Sequence, residues 1–326
     1  MAILNGSVFS DVVVDTLASD SISTFGGDDY IYGGFGNDAI NGGSGFDTMD
    51  YSFIGQGVSL GAGGFVDKGT AGFDSLFSVE NIIGAPDQVN TIDGSTGDSS
   101  VVSLTVDLSL NSLTVNDIPG LGTLSFAVQN FVDVIGTTQG DVIIGDSQNN
   151  LLDGWGGDDY IFGGGGNDQI LGFTGNDALD GSTGNDSLFG EAGNDILFGG
   201  SGSDYISGGS GSDFLAGDSG SDTLVGYGFS LGELDVLSGG SGSDLFALGD
   251  TANVYYQGSG YATITDFDFL EGDKILVSGG IGNYSLSSQS FSGGLALDTL
   301  IFFGSDLIGV VEDNTNVVAA LDFVVA

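Results

Sequence analysis

The clearest pattern in the chain is a nine-residue period of polar and aliphatic positions. From residue 141 onward a polar residue recurs at every ninth position, and an aliphatic residue always stands two places after it. Glycine stands five places before it in every repeat, and two places before it from Gly157 to Gly220. The pattern is therefore G-x-x-G-x-D-x-U-x, where U is aliphatic. Its polar members are Asp141, Asn150, Asp159, Asp168, Asp177, Asp186, Asp195, Asp204, Asp213 and Asp222, and its aliphatic members are Ile143, Leu152, Ile161, Ile170, Leu179, Leu188, Leu197, Ile206, Leu215 and Leu224.

The same pattern occurs in two further places. A four-residue insertion around residues 227–231 shifts the phase, which resumes at Asp235 and Asp244 with Leu237 and Phe246. A shorter array near the start of the chain contains Asp29, Asp38 and Asp47, followed by Ile31, Ile40 and Met49.

This period predicts an all-β fold, a parallel β-roll or β-solenoid. Each repeat has room for a three-residue strand, whose central aliphatic points to one face, and a six-residue turn that only a glycine-rich backbone can follow. Two repeats complete one coil. Because one nonapeptide cannot bury its own apolar face, stacked coils must form two parallel sheets around a thin aliphatic core, with the Asp residues along both edges.

The composition gives these Asp residues a chemical meaning. The chain has 62 Gly and 45 acidic residues against two Lys, with no Arg, His or Cys, and its formal net charge is −43. Carboxylates stacked about 5 Å apart repel one another unless a cation lies between them. Carboxylate and carbonyl oxygens are hard ligands that suit calcium. The alternative, a metal-free polar solenoid whose Asp residues cap turns, leaves the charge uncompensated in a compact state.

The repeats resemble the calcium-binding nonapeptide repeats of the RTX family, whose pattern is G-G-x-G-x-D-x-U-x. Residues 163–170 and 199–206 match it at every position. The resemblance implies roughly seven to nine calcium ions, each held between repeat i and repeat i+2 by two Asp carboxylates and by glycine carbonyls of the turns. The implied carboxylate ligands are Asp29, Asp38, Asp47, Asp159, Asp168, Asp177, Asp186, Asp195, Asp204, Asp213, Asp222, Asp235 and Asp244, and the implied glycines are Gly157, Gly166, Gly175, Gly184, Gly193, Gly202, Gly211 and Gly220.

The resemblance also implies how these ligands pair. The pairs are Asp29 with Asp47, Asp159 with Asp177, Asp168 with Asp186, Asp177 with Asp195, Asp186 with Asp204, Asp195 with Asp213, and Asp204 with Asp222. Asn150 with Asp168 is a weaker pair. Gln139 and Gln148 replace turn glycines in the first two repeats, which argues against calcium at the start of the main array.

The remaining segments predict a chain of four regions. Residues 1–51 hold a first strand and the short array, and residues 137–249 form the main roll. Residues 52–136 alternate apolar and polar positions as strands do, and 79–84 are echoed at 131–136, so we expect duplicated, wider solenoid coils with Pro86 and Pro119 in turns. Residues 250–326 are expected to form a C-terminal β cap with a secretion signal, because residues 262–275 resemble the segment that caps the roll in secreted RTX proteins. The whole chain is then expected to be one elongated β body.

The ends of the sequence suggest export. Residues 1–20 have no basic n-region or continuous apolar stretch, so we expect no classical signal peptide. The last five residues, Asp-Phe-Val-Val-Ala, resemble the terminus of RTX proteins exported by the type I secretion apparatus; a buried terminal strand is the alternative. We therefore expect a secreted protein, extracellular or on the cell surface, whose carboxylates keep it unfolded until it meets millimolar calcium.

Several function classes are excluded or disfavoured. Two Lys cannot form a basic patch, so nucleic acid is not a partner, and no apolar run is long enough to span a membrane. Two G-x-S-x-G strings, 57–61 and 228–232, have no His to act as a base, so we expect no catalytic Ser and no enzyme. A glycosidase or lyase needs only carboxylates, but it would also need a groove and a strongly raised pKa.

One face of the main roll is apolar, which bears on function. On the face of Asp159 and Asp177 the outward residues include Tyr160, Phe162, Ile196, Phe198 and Phe214, whereas the opposite face has mainly Leu171, Phe189 and Tyr205. We expect the first face to be covered by terminal segments of the chain or by another protomer. The leading hypothesis is a calcium-dependent extracellular structural protein of a surface layer, sheath or matrix fibre that self-associates. The alternative is a calcium-dependent adhesin or glycan-binding module; ice binding is disfavoured because its Thr and Asn rows are short.

Overall fold

The structure is a computed structural model, which describes residues 1–95, 102–118, 122–228, 232–291 and 296–326. It is nearly all-β. The chain divides into two compact units, Met1–Trp155 and Gly156–Ala326. Within the described ranges, no helix is long and apolar enough to cross a membrane. The turn expected at Pro119 and the centre of the second G-x-S-x-G string lie outside the described residues.

The N-terminal unit is built from short strands joined by turns. They are β1 (Ile3–Asn5), β2 (Val12–Val14), β3 (Ser21–Ser23), β4 (Tyr30–Tyr32), β5 (Ala39–Asn41), β6 (Thr48–Asp50), β7 (Ser59–Gly61), β8 (Phe65–Asp67), β9 (Phe73–Phe77), β10 (Asn81–Ile83), β11 (Thr91–Asp93), β12 (Ser103–Asp107), β13 (Ser112–Ile118), β14 (Gly122–Gln129), β15 (Asp133–Ile135), β16 (Val142–Ile144) and β17 (Leu151–Asp153), with a 3-10 turn at Gly69–Ala71.

These strands form two sheets in which successive coils add parallel strands. The first sheet has the order β1-β3-β5-β9-β8-β7-β11-β15-β17, and the second has the order β2-β4-β6-β10-β14-β13-β12-β16. In the first array the register advances by one coil at each step, so that Leu4 lies opposite Ile22 and Ile22 opposite Ile40. Aliphatic residues are thereby stacked in rows, as a roll requires.

Residues 52–136 differ from simple parallel coils because they contain antiparallel excursions. Strands β7, β8 and β9 pair antiparallel, and so do β12, β13 and β14. The two echoed segments also lie in opposite sheets, since β10 (with Ile82) belongs to the second sheet and β15 (with Val134) to the first. The two similar sequences therefore form similar local strands and turns, but they do not occupy equivalent positions in the roll.

The C-terminal unit continues the strand numbering. Its strands are β18 (Tyr160–Phe162), β19 (Gln169–Thr174), β20 (Ala178–Asp180), β21 (Ser187–Ala192), β22 (Ile196–Gly202), β23 (Tyr205–Ser210), β24 (Phe214–Gly220), β25 (Thr223–Tyr227), β26 (Leu234–Ser238), β27 (Ser241–Gly242), β28 (Leu245–Ala247), β29 (Tyr261–Ile264), β30 (Lys274–Val277), β31 (Tyr284–Gln289), β32 (Asp298–Phe303), β33 (Asp306–Val311) and β34 (Phe323–Val325), with a 3-10 turn at Ile281–Asn283 and helix α1 at Ala319–Asp322.

This unit also has two sheets. One sheet has the parallel order β19-β21-β23-β25-β28-β30-β34. The other runs β18-β20-β22-β24-β26-β29-β33 in parallel and ends in the antiparallel strands β32 and β31. The last residues of the chain thus form an edge strand, with Phe323 buried and Val324 and Val325 exposed.

The core confirms the β-roll expected from the period. The aliphatic that follows each Asp by two places is buried in both arrays. The buried row comprises Ile31, Ile40, Met49, Ile161, Ile170, Leu179, Leu188, Leu197, Ile206, Leu215, Leu224, Leu237 and Phe246. Because strand residues alternate between faces, the flanking residues of each repeat point away from this core.

The outward face of β18, β22 and β24 is exposed. Tyr160, Ile196, Phe198 and Phe214, which we call the apolar stripe, remain 51%, 46%, 37% and 37% exposed. The expectation that the chain's own terminal segments cover this face is therefore wrong for these four side chains. The reason is topological, because the C-terminal strands extend the sheets at their edge instead of folding over the face.

Candidate metal centre

The Asp residues of the repeats form ladders along the edges of the sheets. In each ladder the Oδ1 atom of one Asp accepts a hydrogen bond from the backbone N–H of the Asp one coil earlier. In the C-terminal unit the donor–acceptor pairs are Asp159–Asp177, Asp168–Asp186, Asp177–Asp195, Asp186–Asp204, Asp195–Asp213, Asp204–Asp222, Asp213–Asp235 and Asp222–Asp244, at 2.7–2.9 Å. Asp29–Asp47 is such a pair in the N-terminal unit, at 2.9 Å. The structure thus places the two residues of each of the seven expected pairs on successive coils, joined by a hydrogen bond.

The second carboxylate oxygen has a different environment. Within the described residues, Oδ2 is buried and accepts no hydrogen bond in Asp29, Asp47, Asp177, Asp186, Asp195, Asp204, Asp213, Asp222 and Asp244. A buried carboxylate oxygen without a hydrogen-bond partner costs free energy, and protein cores do not normally contain a whole row of such oxygens. Such a row is the expected arrangement for oxygens that bind a cation.

The orphan oxygens face a cradle that glycine leaves open. A Cβ placed on Gly181 would lie 2.6 Å from Asp186 Oδ2 and 2.7 Å from the carbonyl oxygen of Gly199. The same arrangement recurs one half-coil later, where a Cβ on Gly190 would meet Asp195 Oδ2 and Gly208 O at 2.4 and 2.6 Å. A carboxylate oxygen and a turn carbonyl therefore converge on one point at these turns. This donor set of hard oxygens fits calcium.

The glycines two places before each Asp have a separate role. Their φ angles are positive, as at Gly184 (148°) and Gly202 (137°), where a residue with a side chain would be strained. They also stack directly on one another: a Cβ on Gly184 would lie 1.5 Å from Gly166 O. Glycine is thus required here by backbone conformation and by the close approach of successive turns. That the carbonyl oxygens of these glycines bind calcium stays a prediction.

A second ladder runs beside the Asp ladder. The side-chain oxygen of Asn185 accepts the N–H of Ser203 at 2.7 Å, and that of Asn176 accepts the N–H of Asn194 at 3.0 Å. These bonds align neighbouring turns without charge, so the residue before each Asp helps to hold the carboxylates in register.

Burial raises the pKa of several ladder carboxyls in the C-terminal unit. The pKa is raised to about 6 for Asp177, Asp195 and Asp244, and to about 7 for Asp186, Asp213 and Asp222. Desolvation is the largest cause in each case, followed by a lowering from the backbone N–H that each carboxylate accepts. Repulsion between carboxylates adds to the upward shift, for instance from Asp204 and Asp244 on Asp222. The ionised ladder is therefore costly unless a cation compensates it.

Acidic residues that the nonapeptide pattern did not identify extend the ladders at both ends. Asp11 and Asp20 donate their backbone N–H groups to Oδ1 of Asp29 and Asp38, both at 2.7 Å. Asp74 accepts the N–H of Asp38 at 3.1 Å, Glu80 accepts that of Asp47 at 2.9 Å, and Asp273 accepts that of Asp244 at 3.0 Å. Each is followed two places later by a buried aliphatic, namely Leu76, Ile82 and Ile275. An acidic residue followed two places later by an aliphatic residue could therefore have identified these ladder members in the sequence. The signal is weak because the glycines of the repeat are missing and the insertions before these residues break the nine-residue period.

Two of the expected ligands do not fit calcium as the others do. Oδ2 of Asp38 accepts a hydrogen bond from Lys68 Nζ at 3.0 Å. Oδ2 of Asp235 accepts one from the buried Tyr256 hydroxyl at 2.5 Å, and this hydroxyl stands where a Cβ of Gly226 would be. The oxygen that is orphaned elsewhere is therefore already satisfied by the protein at these two positions.

The start of the main array is closed in a similar way. Asp141 accepts backbone N–H groups of Leu104 and Thr137, both at 2.5 Å, through its two oxygens. The amide of Asn150 donates to the carbonyl of Val132 at 2.7 Å. These bonds occupy oxygens of Asp141 and hold Asn150 in place, and the absence of calcium from the first two repeats stays a prediction.

Comparison with known proteins identifies the family. The model of the RTX calcium-binding nonapeptide repeat matches residues 5–49, 135–170, 171–206, 207–228 and 234–264, just over half of the chain. The chain belongs to this family. Its repeats bind calcium, and their number implies several ions. In this chain the orphan Oδ2 atoms and the facing turn carbonyls are the groups that would hold them, and bound calcium would neutralise the repulsion between carboxylates.

The other comparisons add little. No curated protein matches the chain. Among solved structures, the crystal structure of the extracellular lipase LipA from Serratia marcescens is similar, with 17% identity and a TM-score of 0.22, over 98% of this chain and 39% of the lipase chain. A similarity this low supports no inference about activity. The first G-x-S-x-G string lies on strand β7, where Leu60 is buried, and so it does not form a strand-to-helix nucleophile elbow.

Proposed function

We propose that the protein is a non-enzymatic, secreted, calcium-dependent structural protein of an extracellular layer, sheath or matrix, which self-associates once calcium has folded it. The observation that carries this proposal is the exposed apolar stripe. Tyr160, Ile196 and Phe214 lie in register on strands β18, β22 and β24, with Ala178 of β20 between the first two. Contiguous apolar rows of this kind are typical of surfaces that bind another protein.

The charge of the chain supports calcium as the condition for association. Lys68 is buried, and the half-buried Lys274 already faces Asp322, with 3.8 Å between Nζ and Oδ1. Protomers with a formal charge of −43 repel one another until divalent cations reduce that charge. Folding and association are then both expected to start only where calcium is abundant, outside the cell.

Export through a type I secretion apparatus is part of the same proposal. Family membership supports it. A chain most of whose coils need calcium to fold is largely unfolded at low calcium, which suits passage through a narrow channel.

The test is light scattering and electron microscopy of the purified chain during a titration from chelator to about 10 mM calcium. We expect ordered filaments or sheets to form with calcium. The double substitution Ile196→Ser/Phe214→Ser should abolish them, whereas Tyr205→Ser, which changes a side chain of similar exposure on the opposite sheet, should not. A chain that binds calcium but stays monomeric would contradict the proposal.

A second candidate is a calcium-dependent adhesin or glycan-binding module. The observation that favours it is the aromatic content of the stripe, where the rings of Phe198 and Phe214 have centroids 5.9 Å apart. Exposed aromatic faces can stack on sugar rings. Pulldown on polysaccharides with and without chelator tests this candidate. Release of products from the same glycans would instead indicate that the protein is an enzyme.

A further inference from the structure

A lysine lies within the Asp ladder of the N-terminal unit. Asp38 precedes β5 and Asp74 lies in β9, and these strands pair with Ala39 opposite Ser75. Asp74 Oδ1 accepts the N–H of Asp38, so the two residues are successive members of one ladder, as Asp186 and Asp204 are in the C-terminal unit. The two residues are 36 positions apart, and the chain between them includes the antiparallel excursion through β7 and β8.

The ammonium group of Lys68 lies between these two carboxylates. Its Nζ atom is 3.0 Å from Asp38 Oδ2, 2.6 Å from Asp74 Oδ1 and 2.9 Å from the carbonyl oxygen of Gly34. Two carboxylates of successive coils and a glycine-turn carbonyl are the same kinds of ligand that converge in the repeats. An ammonium has three N–H donors, and the three acceptors match that number.

The surroundings hold the ammonium in place. Lys68 is 0% exposed, and its backbone N–H donates to Gly72 O at 2.8 Å. The hydroxyl of Tyr51 donates to Asp74 Oδ2 at 2.9 Å, and Nζ lies 5.9 Å from the centre of the Tyr51 ring. Both Asp74 oxygens and Asp38 Oδ2 are thereby satisfied. This contrasts with Asp29 and Asp47 on the other sheet of the same unit, whose Oδ2 atoms are orphaned.

We propose that Lys68 is a covalently tethered cation that takes the place of a calcium ion between Asp38 and Asp74. This position is then permanently compensated and binds no metal, and the coil that ends the first array holds together in the absence of calcium. A buried ion pair is stable only when its geometry and remaining hydrogen bonds are complete, and here they are. The proposal concerns a single coil, so it stands or falls independently of self-association.

Removing the charge should convert the position into a calcium site. Lys68 pairs with Asp38 and Asp74, and Asp15, Asp20 and Asp38 each place a carboxylate oxygen within 4.8 Å of the others. Loss of the ammonium therefore leaves Asp38 and Asp74 uncompensated beside two further carboxylates. In the full chain we expect Lys68→Met to bind about one calcium ion more than the wild type, counted by elemental analysis after gel filtration. Lys274→Met, at the half-buried lysine, should leave the ion count unchanged.

Hydrogen exchange of the Ser75 amide supplies a second readout. This amide donates to Asp38 O at 2.9 Å across the β5–β9 pair. In chelator we expect it to be protected at least about tenfold more in the wild type than in Lys68→Met, with protection of the variant restored by calcium. An unchanged ion count, or equal exchange of the two proteins in chelator, would overturn the proposal.

A variant that fails to fold even in calcium is also informative. The double substitution Lys68→Met/Asp74→Asn removes one carboxylate together with the ammonium and keeps the shape of the site. Recovery of folding with the wild-type ion count would support the role of Lys68 as a counter-cation. Failure of the double variant to fold would contradict it, because the loss would then come from packing of the side chain and not from charge.

Discussion

Substitution of Gly181 by Ala tests the calcium cradle most directly. Gly181 does not adopt a positive φ, so its backbone accepts a side chain, and the effect must come from the space that the new Cβ fills. That Cβ would stand 2.6 Å from Asp186 Oδ2 and 2.7 Å from Gly199 O, on the point at which these two oxygens converge. We therefore expect Gly181→Ala to lose about one bound calcium ion.

The size of the effect follows from mass action. A site with a dissociation constant of about 1 mM, typical of extracellular calcium modules, stabilises the fold by about 1.4 kcal/mol at 10 mM calcium and about 0.4 kcal/mol at 1 mM. Loss of the site should then lower the melting temperature by about 3–6 °C at 10 mM calcium and by much less at 1 mM. Simple steric damage would cost the same at both concentrations.

The assay combines the ion count with thermal unfolding followed by circular dichroism at the two calcium concentrations. Gly280→Ala is the matched control, since a Cβ there meets nothing within 4 Å and φ is −82°. The reasoning is refuted if Gly181→Ala keeps all its calcium ions, or if its loss of melting temperature is the same at 1 and 10 mM.

Three further predictions concern the carboxylates and their caps. Because burial raises the pKa of Asp186 and Asp222 to about 7, the folded chain binds more protons than the unfolded chain between about pH 4 and pH 7. In chelator the chain should therefore show more folded structure at pH 5 than at pH 8 by circular dichroism, and equal or greater structure at pH 8 would contradict this. Added calcium should reduce this loss of folded structure at higher pH. The substitution Tyr256→Phe leaves Asp235 Oδ2 buried without its hydrogen-bond donor, and it should lower the free energy of unfolding, measured in urea, by about 1–3 kcal/mol. An unchanged urea midpoint would show that the Tyr256 hydroxyl does not stabilise this carboxylate. Asp204→Asn preserves the ladder acceptor and removes the charge, so about one or two ions should be lost while the strands remain; full calcium occupancy would count against the ladder as the site.

The rolled architecture could be predicted from the sequence because it depends on local chemistry that repeats. Ile161, Leu179 and Leu197 recur every 18 residues, which is one coil, so burial of one determines burial of all. The same period aligned the Asp residues into pairs. The insertion after Tyr227 did not disturb this alignment: Asp213 still reaches Asp235, now 22 residues away instead of 18.

The excursions could not be predicted in the same way. Residues 59–77 alternate like any half-buried strands, and nothing in that alternation distinguishes a wider parallel coil from the antiparallel β7–β8–β9 excursion. Pairing direction depends on which partner strand is nearby in three dimensions. Asp74 could not be identified for the same reason, because its place in the ladder depends on the pairing of β9 with β5.

The sequence by itself determined the sheet type, the core rows, the Asp edges and the need for an oxygen-binding cation, because each of these follows from nine-residue periodicity and charge. Only the tertiary structure decided which carboxylates still need that cation. Asp186 Oδ2 and Asp38 Oδ2 belong to the same pattern, yet one is orphaned in a glycine cradle and the other bonds Lys68. The physical reason is that a lysine thirty residues away reaches this oxygen only through the long-range pairing that folds the excursion back onto the first array.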